Sequence, residues 1–386
     1  MVVQMGQESP TPQNIKASVT HEKPPHKGPE KGHGLFYYLL LLFFFGSFIP
    51  YLITTSVTCS SVKHSFREQI FNHLISVRDI KKQELENYFL DKKAATHALA
   101  TSPLIVQAAA TFIEAFRQGG IEGNLYQEAE INYSRMFEEF CGAYGYYDIL
   151  LADAEGNIVV SAKHLPVQGK NIFTTYADTP LAEAFTRGKS GINVGDMKWH
   201  DPYKGPALFI SSPLIFRLTG ERNVVGVLIA HINPLKINEI MSQRPGLGES
   251  GESYLVGQDL LMRSDSRFAQ EPVVLKMKVD TVASREALAG QSNCKIIRDY
   301  RDKEVLSAYA ALDVSEGIRW AIVAEIDKAE ALNLEDVVST RVAYLTAAML
   351  PLWGIILFIF YRLIKSWQRH EVVYGQQTTP PYGPKA

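Results

Sequence analysis

Residues 246–268 of the chain read GLGESGESYLVGQDLLMRSDSRF. Three glycines precede a short apolar run at residues 253–256, and a second run at residues 260–264 follows a short turn. Two short runs joined by turn residues predict a β-hairpin. Residues 148–161 repeat this arrangement, with two short runs on either side of Glu-Gly-Asn, and predict another hairpin.

Each predicted hairpin is followed by the same succession of elements. After the first, whose strands are 148–151 and 158–161, a helix at 181–187 and strands at 192–194, 207–211 and 224–231 are predicted. After the second, the corresponding segments are a helix at 283–289 and strands at 294–298, 305–312 and 319–326. A repeat of this kind predicts two similar modules in tandem, built from antiparallel strands and short helices.

Helices are predicted on both sides of the modules. Over residues 61–118, apolar residues such as Phe66, Ile70 and Leu74 recur at helical spacing, and Pro103 interrupts the pattern. This spacing is typical of a long amphipathic helix. Residues 327–341 predict a helix after the last strand.

Two apolar runs without charged side chains, 35–57 and 342–361, are long enough to cross a bilayer. Lysines precede the first run, and Arg362, Lys365 and Arg369 follow the second. Because positive charge marks the cytoplasmic side, both termini are predicted to be cytoplasmic. The first run is longer than the apolar core of a cleaved signal peptide. The polar tail at 1–34 is predicted to be disordered.

Two stretches resemble the double Cache sensor domain, the extracytoplasmic part of many bacterial chemoreceptors, sensor kinases and cyclases. VRDIKK and ENYF, within residues 77–89, are similar to the first helix of that family. Residues 246–268 are similar to the opening of its membrane-proximal module. The resemblance covers residues 61–341.

The resemblance implies an α+β fold in which two transmembrane helices flank a long helix and two tandem PAS-like (Cache) modules with antiparallel sheets. The long helix is 61–118, the membrane-distal module is 146–233 and the membrane-proximal module is 246–326. It also implies that a homodimer forms through the long helix. Small ligands of this family usually occupy the membrane-distal module.

Family members that bind amino acids use an Arg, aromatic residues before a short helix, and an Asp that ends the last distal strand. In this chain Asp178, Pro180 and Leu181 stand at the first positions and His231 stands at the last. The departure argues against an amino-acid ligand.

The loop at residues 196–203 combines aromatic and charged side chains where pocket residues of the family are common. Such a mixture suits the orientation of a small polar ligand. We therefore predict Trp199, Asp201, Tyr203 and His231 as ligand-binding residues. Alternatively, the aromatic residues pack at the rim of the module and the charged ones are solvated.

Other motifs in the chain do not support catalysis or cofactor binding. The three spaced glycines in residues 246–251 fit a dinucleotide fingerprint, but they precede a predicted strand instead of opening a helix. His164, His200 and His231 lack the spacing of a metal site. No cofactor, metal or enzymatic activity is predicted. A net charge of -2 argues against nucleic-acid binding, and three cysteines exclude a disulfide framework but leave one bridge open.

The sequence therefore predicts a double-pass sensor of the cell (inner) membrane that binds an unidentified small molecule in its extracytoplasmic domain. The tail at 362–386 is too short for a catalytic domain. The signal is accordingly expected to pass through the transmembrane helices to a separate partner protein. The alternatives are an orphan receptor without output and a structural membrane protein that uses its fold as a docking surface.

Overall fold

The computed structural model describes residues 32–218, 221–244 and 246–375. The chain divides into two compact units. Cys59–Arg341 form one unit, and the two end segments, up to Thr58 and from Val342 onward, form the other. The predicted disordered tail at 1–34 lies almost wholly outside the described residues, as do the last eleven residues of the carboxy-terminal tail.

The described residues form nine α-helices. These are α1 (Gly32–Thr101), α2 (Pro103–Gly119), α3 (Asn124–Tyr144), α4 (Ile172–Thr175), α5 (Pro180–Ser190), α6 (Pro234–Ser242), α7 (Val282–Leu288), α8 (Lys328–Ala331) and α9 (Asn333–Gly375). The break predicted near Pro103 is confirmed, because α1 ends at Thr101 and Pro103 occupies the first position of α2, where its missing N–H removes no helical hydrogen bond.

Ten strands form two antiparallel sheets within the described residues. The strands are β1 (Tyr146–Asp153), β2 (Ile158–Ser161), β3 (Asn193–Val194), β4 (Lys198–His200), β5 (Gly205–Leu218), β6 (Glu221–Ile232), β7 (Glu252–Val256), β8 (Asn293–Arg298), β9 (Glu304–Ser315) and β10 (Ile318–Asp327). The first sheet has the order β2-β1-β6-β5-β3, with β4 paired to β5, and the second has the order β7-β10-β9-β8.

The predicted repetition of elements is confirmed by the two sheets. In the first sheet β1 pairs with the last strand β6, and in the second sheet β7 pairs with the last strand β10. In each case the last strand also pairs with the long strand before it, β5 or β9. The two sheets thus share one topology.

Two predictions of local structure were wrong. Residues 260–264 do not form the second strand of a hairpin, because Leu260 has a positive φ of 64° that turns the chain. The Leu255 amide then donates to the Ser264 hydroxyl at 3.0 Å, and pairing shrinks to a single bridge between Val256 and Met262. The helix predicted at 327–341 is interrupted at Leu332, between α8 and α9.

The first sheet is buried on both faces. Ile149 and Leu151 of β1 pack with side chains of α1, α2 and α3, whereas Leu150 and Ala152 pack with side chains of α4 and α5. This alternation follows from the two-residue period of a strand. The sequence analysis assigned no element to α3, which supplies part of the first of these layers. The candidate site lies on the second face.

The second sheet also packs on both faces, against α7 on one and against α1 and α8 on the other.

Cys59, Cys141 and Cys294 are free thiols. In the other unit, Phe43 of α1 stacks on Phe360 of α9 with ring centroids 5.6 Å apart. Both of these helices are long and apolar enough to cross a membrane.

Candidate functional site

Three adjacent strands of the first sheet place Asp148, His231 and Phe209 side by side. His231 of β6 is the direct partner of Asp148 on β1 and of Phe209 on β5. Residues directly opposite each other on antiparallel strands project to the same face. All three side chains are buried, with exposed fractions of 0 to 2%. A carboxyl group and an imidazole therefore lie within an otherwise apolar face.

A loop closes over this row of side chains. β4 ends at His200 and is followed by a short 3₁₀ turn at Asp201–Tyr203. The Tyr203 ring lies 4.3 Å from the His231 ring and 5.2 Å from the His200 ring, measured between centroids. We call the rings that meet here the aromatic cluster, which consists of Tyr147, Tyr176, His200, Tyr203, Phe209 and His231.

The two histidines of the aromatic cluster are buried without hydrogen bonds. His200 is 1% exposed and His231 is 2% exposed. Neither ring nitrogen of His200 has a hydrogen-bond partner within the described part of the chain, and His231 has only a contact with the Pro206 backbone that lies outside hydrogen-bond geometry. A neutral imidazole carries one donor and one acceptor, and each buried group left unpaired costs about 1–3 kcal/mol. A small polar molecule that both donates and accepts would satisfy them.

Burial also sets the charge of these histidines. It lowers the pKa of His200 to about 4, against a smaller opposing effect of Asp201. It lowers the pKa of His231 to about 3; neighbouring His200 lowers it further, and the backbone of Pro206 opposes the shift. Both rings are therefore neutral at physiological pH. Neutral imidazoles offer hydrogen-bonding groups and ring faces but no positive charge.

Asp148 holds one ring of the aromatic cluster, that of Tyr203, by a hydrogen bond. Its carboxylate accepts hydrogen bonds from the Ser161 hydroxyl at 2.9 Å and the Tyr203 hydroxyl at 3.2 Å, and from the backbone amides of Ile149 and Lys163. Burial raises the pKa of Asp148 to about 6, although these hydrogen bonds oppose the shift. Asp148 thus fixes the hydroxyl of Tyr203, the ring that covers His231.

The structure separates the four predicted ligand residues into two pairs. Tyr203 and His231 stack on each other inside the aromatic cluster. Trp199 is 49% exposed, and its indole N–H donates to the Asp201 carboxylate at 2.8 Å. Trp199 and Asp201 are therefore both exposed, whereas Tyr203 packs inside the aromatic cluster.

Sequence reasoning missed Asp148 and His200 as members of this site. Asp148 precedes the apolar residues ILLA of the strand YYDILLAD, which ends at Asp153, and a carboxyl group beside such a run was the available signal. His200 was considered only as a metal ligand with His164 and His231. The structure brings His200 near His231, whereas His164 lies beside Glu130 and Glu138 at 3.4 and 3.5 Å. No group of three potential metal ligands occurs among the described residues.

A cavity of about 380 Å³ lies at the start of α5 in the same module. Asp178, Pro180 and Lys198 are among its lining residues, and Lys198 is paired with Glu183 at 2.9 Å. Leu181 is instead fully buried in the apolar core. Two of the three positions aligned with the family's amino-acid residues therefore face open space, but neither carries a positive charge.

The loop that closes the aromatic cluster is tied to the second sheet through Asp196. The Asp196 carboxylate accepts hydrogen bonds from the Arg263 guanidinium at 2.9 and 3.2 Å and from the Trp320 indole N–H at 2.8 Å. Arg263 is 1% exposed and Trp320 is fully buried. Charge-assisted bonds of this kind are stronger than neutral ones, so the loop has a firm attachment outside its own module.

The family model of the Cache domain matches residues 61–334, the segment that holds both sheets and the helices packed on them. This chain belongs to the Cache domain family. The match includes the aromatic cluster and the Asp196 attachment. A comparison with curated proteins gave no match.

Three solved structures similar to this Cache chain are sensory domains of chemoreceptors. The ligand-binding domain of the chemoreceptor CtaA from Pseudomonas fluorescens, in complex with L-isoleucine, is 14% identical and covers 70% of this chain and 98% of its own, with a TM-score of 0.46. The Campylobacter jejuni Tlp3 sensory domain shows the same identity, coverage and TM-score. PctB from Pseudomonas aeruginosa, in complex with L-Arg, is 14% identical and covers 68% of this chain and 97% of its own, with a TM-score of 0.45.

Proposed function

We propose that this Cache protein is a membrane-anchored sensor that binds a small polar molecule at the aromatic cluster. The observation that carries the proposal is that the buried ring nitrogens of His200 and His231 make no well-formed hydrogen bond with any described residue. Burying them unpaired is unfavourable unless another molecule supplies the missing hydrogen bonds. Membership of the Cache domain family is consistent with this role.

The ligand class follows from the groups present. The cluster offers aromatic faces and neutral imidazoles, with the Asp148 carboxylate beneath Tyr203. Aromatic faces pair with flat or apolar surfaces, and imidazoles pair with hydroxyl, carbonyl or amide groups. We infer an uncharged or weakly charged molecule with a flat or apolar part and at least two polar groups. Trp199 and Asp201 flank the entrance, and Tyr203 and His231 contact the ligand.

The proposed membrane arrangement assigns each part of the chain a place. Residues 35–57 and 342–361 cross the cell membrane, the tails at 1–34 and 362–386 are cytoplasmic, and the sensor region at 61–341 is extracytoplasmic. Within that region, 146–233 form the membrane-distal module and 246–326 form the membrane-proximal module. Ligand binding biases the two modules between two arrangements, and the helices pass this bias to a separate partner protein or through a homodimer. The proposal assigns the chain no catalytic activity.

The test uses the full-length chain in detergent and measures melting temperature against a library of small polar molecules. A ligand that binds only the folded state raises the melting temperature in a saturable way. The proposal expects such a shift for at least one molecule. It also expects the shift to be lost in His231→Gln and strongly reduced in Tyr203→Phe.

The matched control is His97→Gln, because His97 is an exposed histidine of α1 whose ring lies 3.4 Å from the Ser212 hydroxyl and outside the aromatic cluster. This variant is expected to keep the full shift. A shift that survives His231→Gln would place the ligand elsewhere. No shift across the library would sink the small-molecule proposal and favour the docking-surface alternative.

A further inference from the structure

A pair of carboxyl groups lies buried in the second sheet. Glu252 of β7 and Glu325 of β10 are direct partners in the antiparallel register. Glu252 is 2% exposed and Glu325 is fully buried. The Cβ atoms of directly opposite residues lie about 4.5–5.5 Å apart. Two negative charges this close and shielded from water repel strongly, so the pair favours a state in which one carboxyl is protonated.

The hydrogen bonds of the pair leave one carboxyl oxygen of Glu325 free to carry that proton. Glu252 accepts from the Tyr300 hydroxyl at 2.5 Å and from the Ser266 hydroxyl at 2.9 Å. Glu325 accepts from the Tyr254 hydroxyl at 3.1 Å through one oxygen. Its other oxygen is buried and has no hydrogen-bond partner among the described residues. A carboxylate buried with one oxygen unpaired is poorly stabilised in its charged form.

The cations near the pair are engaged elsewhere. Arg301, in the turn between β8 and β9, donates to Asp299 at 2.6 Å and to Asp327 at 2.7 Å. Lys303 lies 3.4 Å from Asp327. Burial raises the pKa of both glutamates, and the charge of Asp299 adds to this effect while that of Arg301 opposes it. Arg301 offsets only part of the repulsion, because it already faces two carboxylates of its own.

Protons can reach the pair from one side. A cavity of about 420 Å³ between α6 and the start of β7 has Glu252, Ser253 and Ser266 in its lining. Arg267, an exposed residue of the same lining, donates to the Gly251 carbonyl at 2.8 Å. Glu239, Asp265 and Arg244 also face this cavity, and Glu239 pairs with Lys236 at 3.0 Å. Apart from Glu252 itself, acidic and basic side chains are therefore balanced in this lining.

The pair lies at the joint between β7 and the end of β10. Two residues beyond Glu325, the Asp327 amide donates to the Ser250 hydroxyl at 3.1 Å. Glu330 of α8 accepts from the backbone amides of Glu249 and Ser250 at 2.9 and 2.7 Å. β10 then continues into α8 and α9. A repulsive force between the two glutamates would act directly on the strands that this joint holds together.

We propose that Glu252 and Glu325 form a proton-binding site whose deprotonation, as pH rises, loosens the pairing of β7 with β10. The ligand of this site is the proton. The site lies on β7 and β10 and is separate from the aromatic cluster. It gives the second module a response to pH that does not depend on a small-molecule ligand.

The sign of the pH dependence is fixed by linkage. A glutamate whose pKa is raised by folding keeps its proton in the folded chain after the unfolded chain has lost it. Stability is therefore greatest at low pH and falls as pH rises from the ordinary glutamate pKa, about 4.3, to the raised one. Replacing Glu325 by Gln keeps the shape and the Tyr254 hydrogen bond but removes the second charge.

The experiment measures melting temperature of the full-length chain in detergent from pH 5 to pH 8.5, for the wild type, Glu325→Gln and Glu316→Gln. Glu316, an exposed residue in the turn between β9 and β10, is the matched control. At pH 8.5 the melting temperature of Glu325→Gln relative to the wild type is expected to be higher by about 3 °C or more than it is at pH 5. Glu316→Gln is expected to follow the wild-type curve.

Equal pH dependence of the wild type and Glu325→Gln would overturn the proposal. If Glu325→Gln does not fold, Glu252→Gln serves the same purpose, because either change leaves a single carboxyl. A third readout needs no variant. The infrared spectrum of the wild type at pH 7.5 is expected to contain the carbonyl band of a protonated carboxylic acid, and its absence would also overturn the proposal.

Discussion

Removal of the Asp196 carboxylate should be far more damaging than removal of Asp259, although both bind the same arginine. Arg263 pairs with Asp196 at 2.9 Å and with Asp259 at 2.9 Å. The side chain of Asp196 is 18% exposed, whereas that of Asp259 is 47% exposed. The comparison of Asp196→Ala with Asp259→Ala therefore holds the cation constant and removes a more buried partner in the first variant than in the second.

The expected magnitudes differ by several kcal/mol. Breaking a buried ion pair from one side costs about 3–5 kcal/mol, and the remaining pair of Arg263 with the half-exposed Asp259 offsets part of this cost. Asp196→Ala also removes the acceptor of the Trp320 indole N–H, a buried donor whose loss of a partner costs about 1–3 kcal/mol. These costs overlap, so we expect a total of about 3–5 kcal/mol. The exposed Asp259 pair is worth about 0–1 kcal/mol.

Urea unfolding of the full-length chain in detergent, followed by tryptophan fluorescence, measures the two losses. Asp196→Asn is a useful third variant, since its side-chain oxygen keeps an acceptor for Trp320 while the charge is lost. It should fall between the other two. Equal losses in Asp196→Ala and Asp259→Ala would refute the reasoning that burial of the Asp196 pair governs its contribution.

Two further predictions follow from glycine packing and from the buried histidines. A Cβ at Gly226 would lie 2.2 Å from the Ala152 carbonyl oxygen of the neighbouring strand, whereas a Cβ at Gly142 in α3 meets nothing within 4 Å. We expect Gly226→Ala to destabilise the fold by at least about 3 kcal/mol and Gly142→Ala to stabilise it by about 0.5–1 kcal/mol. Urea unfolding measures both changes, and similar effects of the two would contradict the packing argument. Burial lowers the pKa of His231 to about 3, so its contribution to stability is complete above the unfolded pKa of about 6.5 and is lost as pH falls below it. His231→Phe should therefore lose less stability than the wild type between pH 7 and pH 5 in the same assay. Parallel losses would show that His231 is not buried as a neutral ring.

The sequence predicted the order of elements well because hydrophobic period and turn residues are local signals. The first hairpin, α5 and the long strands β5, β6, β9 and β10 all lie where apolar runs placed them. The second arm of the second hairpin failed for a reason that no local pattern shows. Residues 260–264 include three apolar residues, but Leu260 adopts a positive φ of 64°. A backbone turn at Leu260 therefore interrupts the strand.

The candidate site was predicted only in part for a similar reason. Tyr203 and His231 were predicted because they lie in a loop and at a strand end that the family resemblance marks, and their binding of a ligand stays a prediction. Asp148 was missed because its importance depends on register: it becomes a site residue only when β1 pairs with β6 and brings it opposite His231. Register is a property of the folded sheet, and the sequence alone left it open.

The attachment of Asp196 gives the two proposals a common physical element. Asp196 belongs to the loop that also carries Tyr203, and it binds Trp320, which is on β10 together with Glu325. A ligand that moved the loop would change the restraint on β10 at one end, and deprotonation of the glutamate pair would change it at the other. Coupling between two sites is reciprocal and commonly amounts to about 1–3 kcal/mol. If both proposals hold, pH should therefore alter ligand affinity, and Asp196→Asn should weaken that dependence without altering either site directly.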